Sequence, residues 1–305
     1  PSLESADVLA ETQLPVIVLD TTPTEAFGPD QKSDEILLNH GIHGVQDLCN
    51  LLIRRGKAFS IEAGHWQGDV LDRIRRQAMA VALRNAWRKL RIGLLGQPFP
   101  GMGDFAVSEA TIRDDLGFTL VRGEFARIQA IVAALSEADI QAEIGLISHD
   151  YGQPAIDAHV LRRAAVAGLA LRRWLADEQL SGFSINFLDI DRQSHFPAMP
   201  FLEISKSMAR GIGYAGEGDV LTASLMSILA AVTPAVSFVE MFCPDWRNNS
   251  LFLSHMGEAN ISLMAGQPVL AEMQFKYTDV GNTVAAYGAF QPGDVTIVNL
   301  APVGN

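Results

Sequence analysis

The chain has 305 residues, 48% of them hydrophobic and 19% charged, with a formal net charge of −12. That apolar content supplies a core for about one to three domains and excludes a disordered chain. The acidic field repels nucleic-acid backbones and anionic membranes, so neither is an expected partner.

In chain order, residues 14–22 read as a buried strand ending in a Thr-Thr-Pro turn. His40-Gly41-Ile42-His43-Gly44 opens a helical stretch to Arg54, and Ser60 to His65 reads as a short strand. A long helix follows from Asp69 to Lys89, with Leu71, Ile74, Ala78, Val81 and Ala82 on one stripe. The cations Arg84, Arg88, Lys89 and Arg91 near its end suit the helix dipole. Residues 90–96 read as a strand that opens a new unit. A Pro- and Gly-rich loop comes next, then a helix over 125–137, a strand at Ala142 to Ser148, and a helix from Ala155 to Leu175. A strand at Gly182 to Asp189 and helices over 201–210 and 219–232 complete an alternation that predicts a mostly parallel α/β unit.

After Pro234 the pattern changes to strands without long helical stripes, at 236–242, 251–254, 271–278, 283–290 and 295–300. This predicts a largely antiparallel β unit. The expected domains are therefore 1–89, 90–233 and 234–305. The sequence begins at Pro1, and the final segment reads as a strand running to the chain end, so both ends read as cut from something longer. Cys49 and Cys243 lie far apart in no metal or redox spacing, which fits a reducing compartment. No apolar run of membrane-spanning length occurs, and the expected location is the cytoplasm.

Three residues draw attention as chemistry. Glu217 sits in Gly-Tyr-Ala-Gly-Glu-Gly-Asp, a glycine-rich turn ahead of a helix that Asp219 would cap. It reads either as a ligand or base, or as a capped and solvated turn. Glu240 lies in an apolar strand, where an acid is costly to bury unless paired or metal-bound; a wet edge strand is the alternative. His255, in Leu-Ser-His-Met-Gly-Glu, can bind metal, titrate, or simply hydrogen-bond, and Glu258 is a further acid nearby. Two carboxylates and an imidazole suit a Mn²⁺- or Mg²⁺-class ion. His40 and His43 read as substrate or metal contacts or as helix caps, and His65-Trp66 as a sugar-stacking platform or a packed strand end.

Taken in order, Gly-Tyr-Ala-Gly-Glu-Gly-Asp, Thr222-Ala223, Ser-Phe-Val-Glu and Ser-His-Met-x-Glu resemble the signature of L-arabinose isomerases. His43-Gly44 and Gly64-His65-Trp66 fit upstream, so the resemblance covers nearly the whole chain. It implies a central Rossmann-like parallel-sheet domain between part of an N-terminal α/β domain and the start of a β-rich, barrel-like domain. It also implies metal-dependent aldose–ketose isomerisation of an open-chain sugar, helped by Mn²⁺ or another divalent cation. Glu217 and Glu240 would bind the metal and move the proton between C1 and C2, and His255 would be a ligand. His43 would reach the site of a neighbouring subunit in a homo-oligomer, and Phe187 would wall the sugar. The sequence departs from the family at Val220, where an aromatic is expected, and at Gly257, where an apolar residue is expected; no His follows His255. A related isomerase or epimerase for another sugar, or a non-catalytic sugar-binding relative, is the alternative.

Overall fold

The computed structural model describes residues 2–152, 155–194 and 196–303. The chain forms two compact units, Pro1–Asn85 and Ala86–Asn305.

The first unit contains α1 (Ser2–Glu11), β1 (Val16–Thr22), α2 (Ser33–Leu38), α3 (Ile42–Arg54), β2 (Phe59–His65) and α4 (Val70–Trp87). β1 and β2 pair in parallel, with Val16 opposite Phe59 and Thr22 opposite His65. A parallel pair needs a crossover, and α2 and α3 provide it. Val45, Leu48, Cys49 and Leu52 fall on one face of α3, and they pack with Val16, Val18 and Phe59 of the strands.

The second unit opens with β3 (Arg91–Leu95), α5 (Glu109–Thr111), β4 (Thr119–Gly123), α6 (Phe125–Ala134), α7 (Glu137–Tyr151) and α8 (Ala158–Asp177). It continues with β5 (Gly182–Ile185), α9 (Phe201–Ala209), β6 (Gly213–Gly216) and α10 (Val220–Ala230). Four strands form one parallel sheet in the order β4-β3-β5-β6. Every residue of β5 and β6 is buried, the pattern of strands covered on both faces. Small residues let α10 lie close. A Cβ on Gly213 would stand 2.5 Å from the Ala223 carbonyl oxygen.

Two antiparallel pairs follow. β7 (Glu240–Asp245) pairs with β8 (Ser250–Ser254), and β9 (Val269–Met273) with β10 (Thr283–Tyr287). Ile147, Leu161 and Leu202 of the helices share a core with Leu270 of β9 and Val284 of β10. The molecule is thus α/β, with a parallel four-stranded sheet, helices and antiparallel strand pairs.

A buried ionic cluster ties α7, α8 and α9 together. Arg172 donates to both oxygens of Glu143, each at 2.9 Å, and its Nε donates to Glu203 at 3.0 Å. Lys206 Nζ reaches Glu143 at 2.7 Å, and Arg210 donates to Glu203.

The structure corrects several expected elements. Ala142 to Ser148 is not a strand but the middle of α7. Ser136 caps that helix in a capping box with Asp139, and Ile140, Ile144, Ile147 and Tyr151 recur at helical spacing on its packed side. Residues 295–300 pair with no strand among the described residues, and Val295, Ile297 and Val298 stand exposed. The strand expected to Asp189 stops at Ile185, where the Asn186 side chain accepts from the Leu188 N–H and starts a 3-10 turn. α1, α2 and β4 were not anticipated, and Gly213–Gly216, expected as part of a glycine-rich turn, is the strand β6. Among the described residues, no helix is long and apolar enough to cross a membrane.

Candidate active site

The carboxyl ends of parallel strands are the usual ligand edge of an open α/β sheet, and in this unit three loops are cross-tied there. After β3 the chain turns at Gly96, and the Gln97 N–H donates to Asp189 Oδ2 at 2.7 Å. Asn186 Nδ2 donates to the Gln97 carbonyl at 2.8 Å. The Phe99 N–H donates to the Glu217 carbonyl at 2.8 Å. Gly218, at φ +86°, leaves no room for a side chain, because a Cβ would lie 2.7 Å from Pro98 Cα.

Glu217 follows β6 and is half-buried, with φ 63°. A left-handed backbone costs a non-glycine residue about 1–2 kcal/mol, so the turn is held by its surroundings. Asp219 caps α10, accepting from the Thr222 N–H at 2.8 Å.

Hairpin pairing assembles the other half. Glu240, first in β7, stands opposite Ser254, the last residue of β8, so His255 follows directly beside it. The His255 Nε2 lies 3.8 Å from Glu240 Oε1. The same ring rests on β6, since a Cβ added to Gly216 would be 3.2 Å from Nε2. Phe238 meets the ring edge-on, with centroids 4.8 Å apart.

Behind His255, the Tyr214 hydroxyl donates to Glu258 Oε1 at 2.5 Å. Glu258 Oε2 lies 2.9 Å from His255 Nδ1. That approach is off the line of a hydrogen bond, and neither atom has another hydrogen-bond partner among the described residues.

Burial raises the Glu217 carboxyl, and the Glu240 charge raises it further against a smaller opposing pull from His255. Burial works to lower the His255 ring, but the Glu258, Glu240 and Glu217 charges overcome it and raise it. Burial, then the Glu258 charge, pushes the Tyr214 hydroxyl well up. Three carboxylates around one imidazole make a negative pocket that favours a cation.

Two donors at ordinary oxygen and nitrogen bond lengths from one divalent ion stand up to about 4.3 Å apart, and the Glu240–His255 separation of 3.8 Å lies within that limit. That pair alone has the spacing of two ligands to one ion. Among the described residues, no three His, Cys, Asp or Glu side chains come close enough to hold one unaided.

Phe187 is half-buried and packs with Phe99, Phe275 and Tyr277, at centroid distances of 5.6, 5.6 and 5.8 Å. Through Phe99 this aromatic group adjoins the Glu217 turn. In the first unit, His43 is exposed with its ring 4.2 Å from that of His40. His65 shares a hydrogen bond of 3.0 Å with the Pro23 carbonyl and stands edge-on to Trp66. Sequence reasoning assigned no site role to Tyr214, Phe238 or Phe99. The one available signal was a tyrosine, which needs a polar partner, inside an otherwise apolar strand.

Residues 102–235 match the family model described as the L-arabinose isomerase central domain. The L-arabinose isomerase of Herpetosiphon aurantiacus is 28% identical over 253 residues, which is 78% of this chain and 49% of that protein. The Salmonella enteritidis enzyme of the same name is 26% identical over 257 residues, 79% of this chain and 50% of that protein. The Shewanella baltica enzyme is 27% identical over 243 residues, 75% and 47% of the two chains. The chain thus spans about half the length of these curated relatives. By these matches the chain is similar to L-arabinose isomerases, over the central domain and the segments on either side of it.

Proposed function

We propose that this chain is part of a metal-dependent aldose–ketose isomerase that moves a proton between C1 and C2 of an open-chain sugar through an enediolate. The observation that carries the reading is the apposition of Glu240 and His255 at 3.8 Å beside β6, the strand that leads to Glu217. Glu217, Glu240 and His255 would hold Mn²⁺ or a related divalent cation, which when bound polarises the sugar carbonyl and the neighbouring hydroxyl.

The remaining work falls to side chains. Glu217 has a carboxyl raised by burial and by Glu240, which brings a carboxylate closer to the range useful for accepting and returning a proton. Glu240 is the partner carboxylate across the reacting carbons. Phe187 and its aromatic neighbours exclude water from one side of the sugar. The proposal extends to domains at 1–89, 90–233 and 234–305, and to a cytoplasmic homo-oligomer in which His43 serves a neighbouring subunit's site. The free state of Cys49 and Cys243 supports a reducing compartment.

A second reading, a sugar other than L-arabinose or an epimerisation, is favoured by Gly257. A Cβ there would lie 2.6 Å from the Phe201 ring, so Phe201 takes the space of the family's apolar side chain. The test is ketose formation from a panel of aldoses with and without Mn²⁺. Metal-dependent turnover on one aldose supports the class and identifies the sugar. A folded, Mn²⁺-loaded protein that converts none of them overturns the isomerase reading.

A further inference from the structure

Glu258 is the most deeply buried acid near the site, with its side chain 1% exposed. A buried carboxylate is costly unless its oxygens are engaged. One oxygen is taken by the Tyr214 hydroxyl at 2.5 Å, and the other faces His255 Nδ1 at 2.9 Å. The segment behind it is anchored. The Ala259 N–H donates to Ser205 Oγ at 3.2 Å, the Asn260 N–H to Ser237 Oγ at 3.0 Å, and Asn260 Nδ2 to the Val236 carbonyl at 2.8 Å. The chain just after Glu258 is therefore tied to α9 and to residues 236–237. Nδ1 and Glu258 Oε2 have no hydrogen-bond partner among the described residues, and each is the charged or polar neighbour of the other at 2.9 Å, so a small turn of the ring would bring an Nδ1 proton onto the carboxylate.

The two imidazole nitrogens are distinct, and the partner of one decides which state the other presents. We propose that Tyr214 and Glu258 are positioning residues: Tyr214 holds the Glu258 carboxylate, which keeps the His255 proton on Nδ1 and turns a bare Nε2 toward Glu240. This rests on the reading of His255 as a cation ligand, because a bare Nε2 is the form a cation takes.

The test has two arms. Long-range ¹H–¹⁵N spectra of the cation-free chain, at a pH where the ring is neutral, read the His255 tautomer directly. Wild type is expected to show the Nδ1–H form, and Glu258→Leu a mixture or the Nε2–H form. Tyr214→Phe removes one oxygen atom and is the variant that keeps the fold, and it is expected to loosen the same preference. Mn²⁺ binding followed by electron paramagnetic resonance should weaken about tenfold or more in Tyr214→Phe, the usual effect of losing an outer partner of a ligand. An Nε2–H tautomer in wild type, or a preference unchanged in both variants, overturns the proposal. A shifted tautomer in a chain whose wild type binds no Mn²⁺ supports the positioning and overturns the cation reading alone. Measurable Mn²⁺ binding of equal affinity in wild type and Tyr214→Phe overturns the positioning alone.

Discussion

The Phe99 N–H donates to the Glu217 carbonyl at 2.8 Å, so the loop after β3 fixes the turn that carries the candidate base. Gly218 closes the same contact, with its Cα side against Pro98. Gly218→Ala combines a positive φ with a steric clash and should cost about 2 kcal/mol or more. Urea unfolding measures this, and a loss under half that size would show that the loop yields.

Glu217 lies at φ 63°, a conformation that glycine takes without strain. Glu217→Gly should therefore be more stable than Glu217→Ala by about 1 kcal/mol, while both abolish isomerisation. Paired thermal melts and activity assays check this. An alanine variant as stable as the glycine variant would mean the turn is unstrained.

Acid should unlock the helix cluster over a defined range. Burial works to raise the Glu143 carboxyl, but hydrogen bonds from Arg172 and Lys206 outweigh it and hold it down, from 4.5 to about 2. A depressed carboxyl contributes its stability above its unfolded value and loses it as pH falls through the folded one. The stability gap between wild type and Glu143→Gln should thus be full above pH 4.5 and shrink toward pH 2. A gap constant across that range would refute the linkage.

Arg172 bridges two buried acids, while Arg210 serves Glu203 from a side chain 43% exposed. Arg172→Met takes two hydrogen bonds from each carboxylate, leaving Lys206 on Glu143 and Arg210 on Glu203, and should cost about 2–3 kcal/mol. Arg210→Met should cost about 1 kcal/mol or less, as for exposed pairs. Denaturant midpoints separate the two cases.

The Glu240–His255 edge should make the chain responsive to Mn²⁺. Saturating Mn²⁺ at about a hundred times its dissociation constant should add about 2.7 kcal/mol to the wild type. Glu240→Ala should lose most of that gain while its metal-free melting temperature stays close to wild type. An undiminished gain would exclude Glu240 as a ligand.

Much of the α/β alternation was legible, because β3 and β5 are short apolar runs and α8 and α10 carry sustained apolar patterns; β6, whose glycines read as a tight turn, was not. The run around Ile144 to Ile147 misled because four apolar-looking residues suit either element, and the deciding signal, the Ser136 capping box, lies eight residues upstream of Ile144. Val295 to Val298 has strand composition, but a strand also needs a neighbour to pair with, and composition carries no information about neighbours. Residue types pointed to Glu217, Glu240 and His255 individually. Their relation depends on the register that sets Glu240 opposite Ser254, which hairpin pairing decides. Tyr214 was hidden for a similar reason, since its partner Glu258 lies 44 residues away.

β6 is only four residues long, yet it sets two separate measurements at once. Tyr214 and Gly216 share one face of it, the first gripping Glu258 and the second seating the His255 ring, while Glu217 leaves its end. A slip of one residue would turn that face inside out and misplace acid and imidazole together. The strand acts as a gauge block between the two halves of the pocket. On the proposed reading, changes in sugar preference fall outside the strand, at Val220 in the first turn of α10 and at Gly257.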